Sequence, residues 1–173
     1  MTNYKQLLAD VDTFVFDVDG VMTSGEVLLT PEGQMLRSMN VKDGYALQLA
    51  IKKGYRIIII TGGSCEAVKQ RFLLLGIKDV YLAVSNKLEL FEKIVAEEGL
   101  DKKRILYMGD DLPDYQVMRE VGVPACPADA VQEVQHISRY ISGREGGKGC
   151  VRDVLEQVMR VQDKWFHNDG FHW

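Results

Sequence analysis

Short apolar runs alternate with segments of helical period along most of the chain. The runs Thr13–Phe16, Ile57–Ile60, Val80–Val84 and Ile105–Met108 each stop at a polar or glycine-bearing turn, beginning with Asp17, Thr61, Ser85 and Gly109 respectively. Runs of this length bounded by turns read as strands buried on both faces. Between them, Asp43–Lys53, Ser64–Leu75, Asn86–Glu98 and Leu112–Val121 place apolar residues three and four apart, with Gly54, Gly76, Gly99 and Gly122 just past their ends. Glycine in that position commonly terminates a helix. Ser64 is placed to cap its helix, and Asn86 followed by Glu89 resembles an N-cap with a reaching acid. Strands alternating with helices predict an α/β fold with a doubly wound, mostly parallel, Rossmann-like sheet and right-handed crossovers. Val123–Cys126 and Tyr140–Ser142 are placed to add two short strands.

Two stretches depart from that rhythm. Gly25–Met39 has β-prone arms around Pro31-Glu32-Gly33, the pattern of an inserted β-hairpin. Cys150–Trp165 carries Val151, Val154, Leu155, Val158, Val161 and Trp165 at helical spacing behind the glycine-rich loop 143–149, which predicts a last amphipathic helix. The tail, 166–173, has no periodicity.

The 173 residues fit one domain spanning 1–173, and 46% hydrophobic with 27% charged residues excludes a disordered chain. The formal charge of −4, with no long basic run, argues against nucleic acid or an anionic membrane as partner. Lys5, Asp10 and Asp12 interrupt the start before a secretory apolar stretch accumulates, and no run is long enough to cross a bilayer. Cys65, Cys126 and Cys150, odd in number and widely spaced, suit free thiols in a reducing cytoplasm better than disulfides or a zinc site.

In an open parallel sheet, ligands gather at the carboxyl ends of the strands. Here those ends carry Asp17-x-Asp19-Gly20, Thr61-Gly62-Gly63, Ser85-Asn86-Lys87 and Gly109-Asp110-Asp111-x-x-Asp114. Clustered carboxylates repel unless a cation sits among them, and hard oxygen ligands select Mg²⁺. A hydroxyl, the N–H groups near Gly62 and the Lys87 ammonium suit a phosphate instead. Metal and phosphate at one rim is the joint reading.

DVDGVMTSG, TGG, SNK and GDDLPD, in this order from Thr13 to about Val123, resemble the motifs of the haloacid dehalogenase superfamily. The resemblance implies phosphate-ester hydrolysis through an aspartyl phosphate, with Asp17 as nucleophile and Asp19 as general acid and then base. Asp17, the main-chain carbonyl of Asp19 and Asp110 would hold Mg²⁺, while Thr61 and Lys87 would neutralise charge on the transferred group. Asp111 and Asp114 would orient Lys87 and metal waters, with simple surface solvation as the alternative for each.

The spacing leaves no room for a cap domain: Asp19 to Thr61 holds a hairpin, a helix and a strand, and Thr61 to Lys87 a helix and a strand. A bare site excludes water poorly. A neighbouring subunit is the economical cover, with Val27, Leu28, Leu29, Met35 and Leu36 of the hairpin as its contact surface. A hairpin folded onto its own domain is the alternative. GVMTSG, NVKDGYAL, SNKLE, GDDLPD and GGKGCVRDV extend the resemblance to the capless, tetrameric branch acting on eight- and nine-carbon sugar-acid phosphates, with the 3-deoxy-octulosonate 8-phosphate group nearer. By that resemblance Asn40, Val41, Lys42, Asp43 and Gly44 would line the substrate site beside Asp19 with Gly62, Gly63 and Lys87. Arg71 would fork the sugar carboxylate bound at a neighbouring protomer, solvation being its alternative. Many octulosonate enzymes have Arg where this chain has Gly63, and nine-carbon enzymes tend to place Glu there, so one anion contact is missing. His167 and His172 of the tail could close an adjacent site, an untethered end being the simpler reading.

Two readings from other classes compete. A phosphoacceptor signalling receiver also puts acids, a Thr and a Lys at strand ends, but its acceptor Asp follows the acidic pair on a later strand. A catalytically silent oligomeric module requires the whole acid set to be incidental.

Overall fold

The computed structural model describes residues 4–166 and 170. A short helix, Tyr4–Leu8 (α1), leads into the strand Thr13–Phe16 (β1). The two-residue arms Leu28–Leu29 (β2) and Met35–Leu36 (β3) pair antiparallel as the expected hairpin, with Gly33 at φ +81° in its turn. Then follow Val41–Lys52 (α2), Arg56–Ile60 (β4), Glu66–Leu74 (α3), Asp79–Tyr81 (β5), Lys87–Glu98 (α4) and Ile105–Met108 (β6). Leu112–Met118 (α5), Val123–Cys126 (β7), Gln132–Ile137 (α6), Tyr140–Ile141 (β8) and Cys150–Val161 (α7) complete it.

Six strands form one parallel sheet in the order β5-β4-β1-β6-β7-β8. The chain winds outward from β1 in both directions, so the switch point lies at its carboxyl end. There Phe16 is in register with Ile59 on one side and Met108 on the other. Side-chain alternation divides the core in two. Phe14, Phe16, Ile57, Ile59, Leu106 and Met108 face α2 and α7, whereas Val15, Ile58, Ile60, Ile105 and Tyr107 face α4, α5 and α6. Burial on both sides explains why these strands read as unbroken apolar runs. The periodic residues Val151, Val154, Leu155 and Val158 of α7 are fully buried in the first of these layers.

Several boundaries differ from expectation, some through local capping and others through contacts with distant backbone. α2 starts earlier, because the side chain of Asn40 accepts the Lys42 N–H and caps it. α3 starts later, with Cys65 rather than Ser64 at the cap position and no side-chain bond there. β5 ends at Tyr81 because Ala83, at φ +53°, turns the chain so that Ala83 and Val84 donate to the carbonyls of Gly63 and Thr61. Gly122 does not stop α5 by a left-handed turn. A Cβ there would sit 2.0 Å from the Lys103 carbonyl oxygen, so close backbone approach is what selects glycine. α7 ends at Val161, short of Trp165. α1 and α6, each six residues or fewer, were not expected from the pattern. His167 and His172 lie outside the described residues.

Candidate active site

The carboxyl ends of β1, β4 and β6 and the starts of α4 and α5 surround a cavity of about 730 Å³. Asp17, Asp19, Thr61, Gly62, Lys87, Asp110, Asp111 and Asp114, drawn from four distant stretches of sequence, all line it. Asp17 follows β1 directly, and its N–H donates to the Met108 carbonyl at 3.1 Å, which locks the start of the acidic turn to β6.

Lys87 is the pivot. Its Nζ lies 2.9 Å from Asp17 Oδ1 and 2.7 Å from Asp114 Oδ1, with the side chain 6% exposed. A cation at the first turn of a helix is disfavoured by the helix dipole. Here the two carboxylates outweigh both that and burial, which by itself would lower the ammonium's pKa, and the pKa is raised. The capping predicted at Asn86 is present: its side chain accepts the Glu89 N–H at 3.1 Å, and its amide donates to the Glu89 carboxylate.

Asp114 is fully committed within the protein. Its Oδ1 accepts from Lys87 and from Tyr107 Oη at 2.6 Å, and its Oδ2 accepts the Asp110 N–H at 3.2 Å. Burial and the nearby acids push the Tyr107 phenol well above its ordinary value, so it remains a donor. Asp111 does not reach Lys87. It is exposed on the cavity wall, and its side chain accepts the Leu112 N–H at 2.7 Å as the cap of α5.

Single ligand oxygens of Asp17, Asp110 and Asp114 come within 4.8 Å of one another. Burial, and then repulsion from Asp114, raises Asp17 from 3.8 to about 7. Burial followed by repulsion from Asp17, Asp114 and Asp111 raises Asp110 to about 7 as well. One ammonium therefore faces three crowded acids, an excess of negative charge that a divalent ion relieves. Asp114 already accepts three hydrogen bonds, which leaves Asp17 and Asp110 as the more open hard donors, and the residues present fit Mg²⁺. Gly20 makes room for this arrangement: at φ +85°, a Cβ on it would lie 1.9 Å from Asp110 Oδ2.

Thr61 is buried at the end of β4, and its Oγ1 accepts the Gly63 N–H at 3.1 Å. The segment 40–44 and Arg71 do not line this cavity. Asn40, Asp43, Gly44 and Arg71 border a separate small recess, where a Cβ on Gly44 would meet the Arg71 guanidinium at 2.7 Å. Val41 and Lys42 are exposed outside both. Asp43 is 2% exposed and accepts the Arg152 N–H at 2.7 Å, tying α2 to the start of α7, and burial raises it to about 6.

Sequence reasoning missed Arg37. Its Nε and Nη2 fork Asp19 Oδ1 and Oδ2 at 2.7 and 2.9 Å, and its Nη1 donates to the Met35 carbonyl at 3.2 Å. It also reaches the space beside Gly63, where a Cβ would lie 3.7 Å from Nη2. The available signal was a lone cation ending an apolar hairpin arm, in a chain whose other motifs place acids at one rim.

A switch-point cavity lined by Asp17, Asp19, Thr61, Lys87 and Asp110 is the arrangement of a haloacid-dehalogenase-type phosphotransfer site. No family model matches the sequence. The 3-deoxy-D-manno-octulosonate 8-phosphate phosphatase KdsC of Yersinia pestis is 33% identical over 159 residues, covering 92% of this chain and 85% of the relative. Among solved structures, the same phosphatase from Moraxella catarrhalis, in complex with magnesium ion, phosphate ion and KDO, superposes with a TM-score of 0.91. It is 30% identical and is matched over 95% of each chain. A putative superfamily hydrolase of subfamily III A from Legionella pneumophila is 29% identical with a TM-score of 0.89, over 92% of this chain and 88% of the other. The chain belongs to the 3-deoxy-D-manno-octulosonate 8-phosphate phosphatase family of the haloacid dehalogenase superfamily. The receiver and silent-module readings are thereby set aside.

Proposed function

We propose that the protein is a Mg²⁺-dependent phosphatase that hydrolyses 3-deoxy-D-manno-octulosonate 8-phosphate to the free sugar acid and inorganic phosphate. The observation that carries this reading is the buried Asp17-Lys87-Asp114 ion-pair chain beside Asp110 in the wall of the cavity. Asp17 and Asp110, with the Asp19 main-chain carbonyl, would hold the cation, which supplies charge neutralisation for the phosphoryl oxygens. An Asp17 carboxylate oxygen attacks phosphorus as the phosphorus–sugar oxygen bond breaks, and Asp19 gives its proton to the departing oxygen. Asp19, now a carboxylate, takes a proton from water as that water's oxygen attacks phosphorus. Phosphate leaves, and the Asp17 carboxylate is regenerated. Lys87 and Thr61 face the cavity from two sides, placed to compensate charge on the transferred group.

The exposed hairpin supports a homotetramer in which neighbouring subunits cover this open site. Leu28 and Leu29 are 67% and 70% exposed, and Val27, Met35 and Leu36 extend the same apolar face. Arg71 and segment 40–44, off the cavity of their own chain, would then serve substrate recognition across a subunit boundary. No helix among the described residues is long and apolar enough to cross a membrane, and the three cysteines are free thiols, in keeping with action in the cytoplasm on a soluble sugar-acid phosphate. The test is phosphate release from a panel containing octulosonate 8-phosphate, a nonulosonate 9-phosphate and simple hexose phosphates, each with Mg²⁺ and with EDTA. Preference for the eight-carbon acid, abolished by EDTA, is expected. Preference for the nine-carbon acid or for hexose phosphates overturns the substrate assignment.

A further inference from the structure

Asp19 can give a proton to a leaving oxygen only if its carboxyl group points along one line into the cavity. A carboxyl at the rim of an open cavity, on a turn that continues into an exposed hairpin, has little of its own to fix it. Its side chain is 33% exposed, and its contact to the Thr23 hydroxyl is long, at 3.3 Å. The strong contact is the fork from Arg37, whose side chain is only 11% exposed despite its place on the hairpin arm. Two parallel N–H···O bonds fix both the position and the plane of a carboxylate, which a single bond does not. The third bond, from Nη1 to the Met35 carbonyl, anchors the guanidinium to the hairpin backbone. Gly63 borders this pair: a Cβ at 63 would stand in ordinary contact with Asp19 Oδ2 at 3.5 Å and with Arg37 Nη2 at 3.7 Å.

We infer that Arg37 is a positioning residue that holds the Asp19 carboxyl in line with the leaving oxygen, so that the seating of the hairpin governs proton delivery at the active site. The inference rests on the acid–base role proposed above for Asp19. Arg37 transfers nothing itself. The proton lies on a lone pair of the Asp19 carboxyl that the two guanidinium bonds leave open and moves from there to the oxygen of the breaking phosphorus–oxygen bond, while the guanidinium fixes the geometry of the donor.

The consequence is specific to the leaving group. An alkoxide, as from a sugar phosphate, needs the proton in the transition state, whereas p-nitrophenolate departs without it. The experiment measures kcat/KM for the purified Mg²⁺-loaded enzyme on a series of alkyl and aryl phosphates that carry no carboxylate, for wild type, Arg37→Gln, Arg37→Lys and Asp19→Asn. Arg37→Gln is expected to lose about 10–100-fold on alkyl phosphates, a part of the 10²–10⁴-fold that a general acid supplies. It should change little on p-nitrophenyl phosphate, and Arg37→Lys should recover part of the loss. A change in the folded fraction scales every substrate alike, so the ratio between leaving groups is unaffected by it, and sedimentation of each variant shows whether its assembly is that of wild type. Equal loss on all leaving groups, or a loss confined to substrates bearing a carboxylate, overturns the inference. If Asp19→Asn shows the leaving-group dependence and Arg37→Gln does not, the inference fails and the role of Asp19 stands. If Asp19→Asn shows none, the proposed role of Asp19 fails with it.

Discussion

The crowding of Asp17 and Asp110 makes a quantitative prediction about pH, metal and stability together. Folding raises both carboxyls from 3.8 to about 7. A group raised in the folded state contributes stability that is complete below its unfolded value and is lost as pH climbs through the folded value, so the metal-free protein weakens from about pH 4 to pH 8. Keeping one such carboxyl ionised at pH 8 costs about 4 kcal/mol, and the pair costs less than twice that because part of each rise is their mutual repulsion. Mg²⁺ requires both ionised, and protons therefore compete with it below pH 7. Between pH 8 and pH 6 the apparent affinity should fall about 10–100-fold, or about 1.4–2.7 kcal/mol. At about 2–4 °C per kcal/mol for a chain of this size, saturating Mg²⁺ should raise Tm by about 3–11 °C more at pH 8 than at pH 6. Differential scanning fluorimetry of EDTA-treated protein, with and without Mg²⁺ at the two pH values, reads this directly. Asp43, raised to about 6, steepens the metal-free slope but lies away from the metal site, so Asp43→Asn should leave the Mg²⁺ difference intact. Lys87 keeps its charge across this window. An equal Mg²⁺ shift at both pH values would refute the reasoning, because it would mean that the ion displaces no protons from Asp17 and Asp110.

Lys87→Met should abolish phosphatase activity and destabilise the metal-free protein by about 3–5 kcal/mol at pH 8, as expected when a buried pair loses one member. Chemical denaturation against wild type checks this, and Mg²⁺ should recover part of the loss. Gly20→Ala should weaken Mg²⁺ binding at least tenfold, since its Cβ would fall 1.9 Å from Asp110 Oδ2 at a φ of +85°, and calorimetric titration measures it. If the hairpin holds the proposed homotetramer together, paired Leu28→Asp and Leu29→Asp changes should lower the sedimentation mass to smaller species and reduce turnover of the sugar acid more than of p-nitrophenyl phosphate. An unchanged mass would remove the hairpin from assembly.

What the sequence revealed of this molecule divides by the range of the interactions involved. β1 and β6 were legible to the residue because a strand buried on both faces is an uninterrupted apolar run with a polar or glycine-bearing stop, and the stop is itself the proposed site residue: Asp17 after β1, Gly109-Asp110 after β6. Two of the boundaries that slipped are set by contacts with distant segments. β5 is cut short by carbonyls of the Thr61–Gly63 turn, and Gly122 is fixed by the backbone at Lys103. The same division runs through the site. Residues at the strand ends announce themselves by position, whereas the groups that hold them carry no local signature. Arg37 is 18 positions from Asp19 and lies on a hairpin whose pattern suggests only an apolar contact surface. The NVKDGYAL segment suggests the substrate site for Asp43, whereas in the structure it accepts the Arg152 N–H, 109 positions away, and burial there is what raises its pKa.

The position of Arg37 also bears on why a capless enzyme keeps a hairpin at all. An apolar arm that only covered a neighbour could end in any residue. This one ends in the guanidinium that forks Asp19, so the element proposed for assembly and the element that holds Asp19 are the same few residues. If neighbouring subunits clamp the hairpin, the entropy of ordering it is met by the burial of Leu28, Leu29, Met35 and Leu36 rather than by the substrate. Proton delivery would then depend on assembly. The leaving-group effect of Arg37→Gln and that of the paired Leu28→Asp and Leu29→Asp changes should accordingly be similar in pattern, both sparing p-nitrophenyl phosphate. Loss on all substrates alike in the hairpin variant would separate assembly from Asp19.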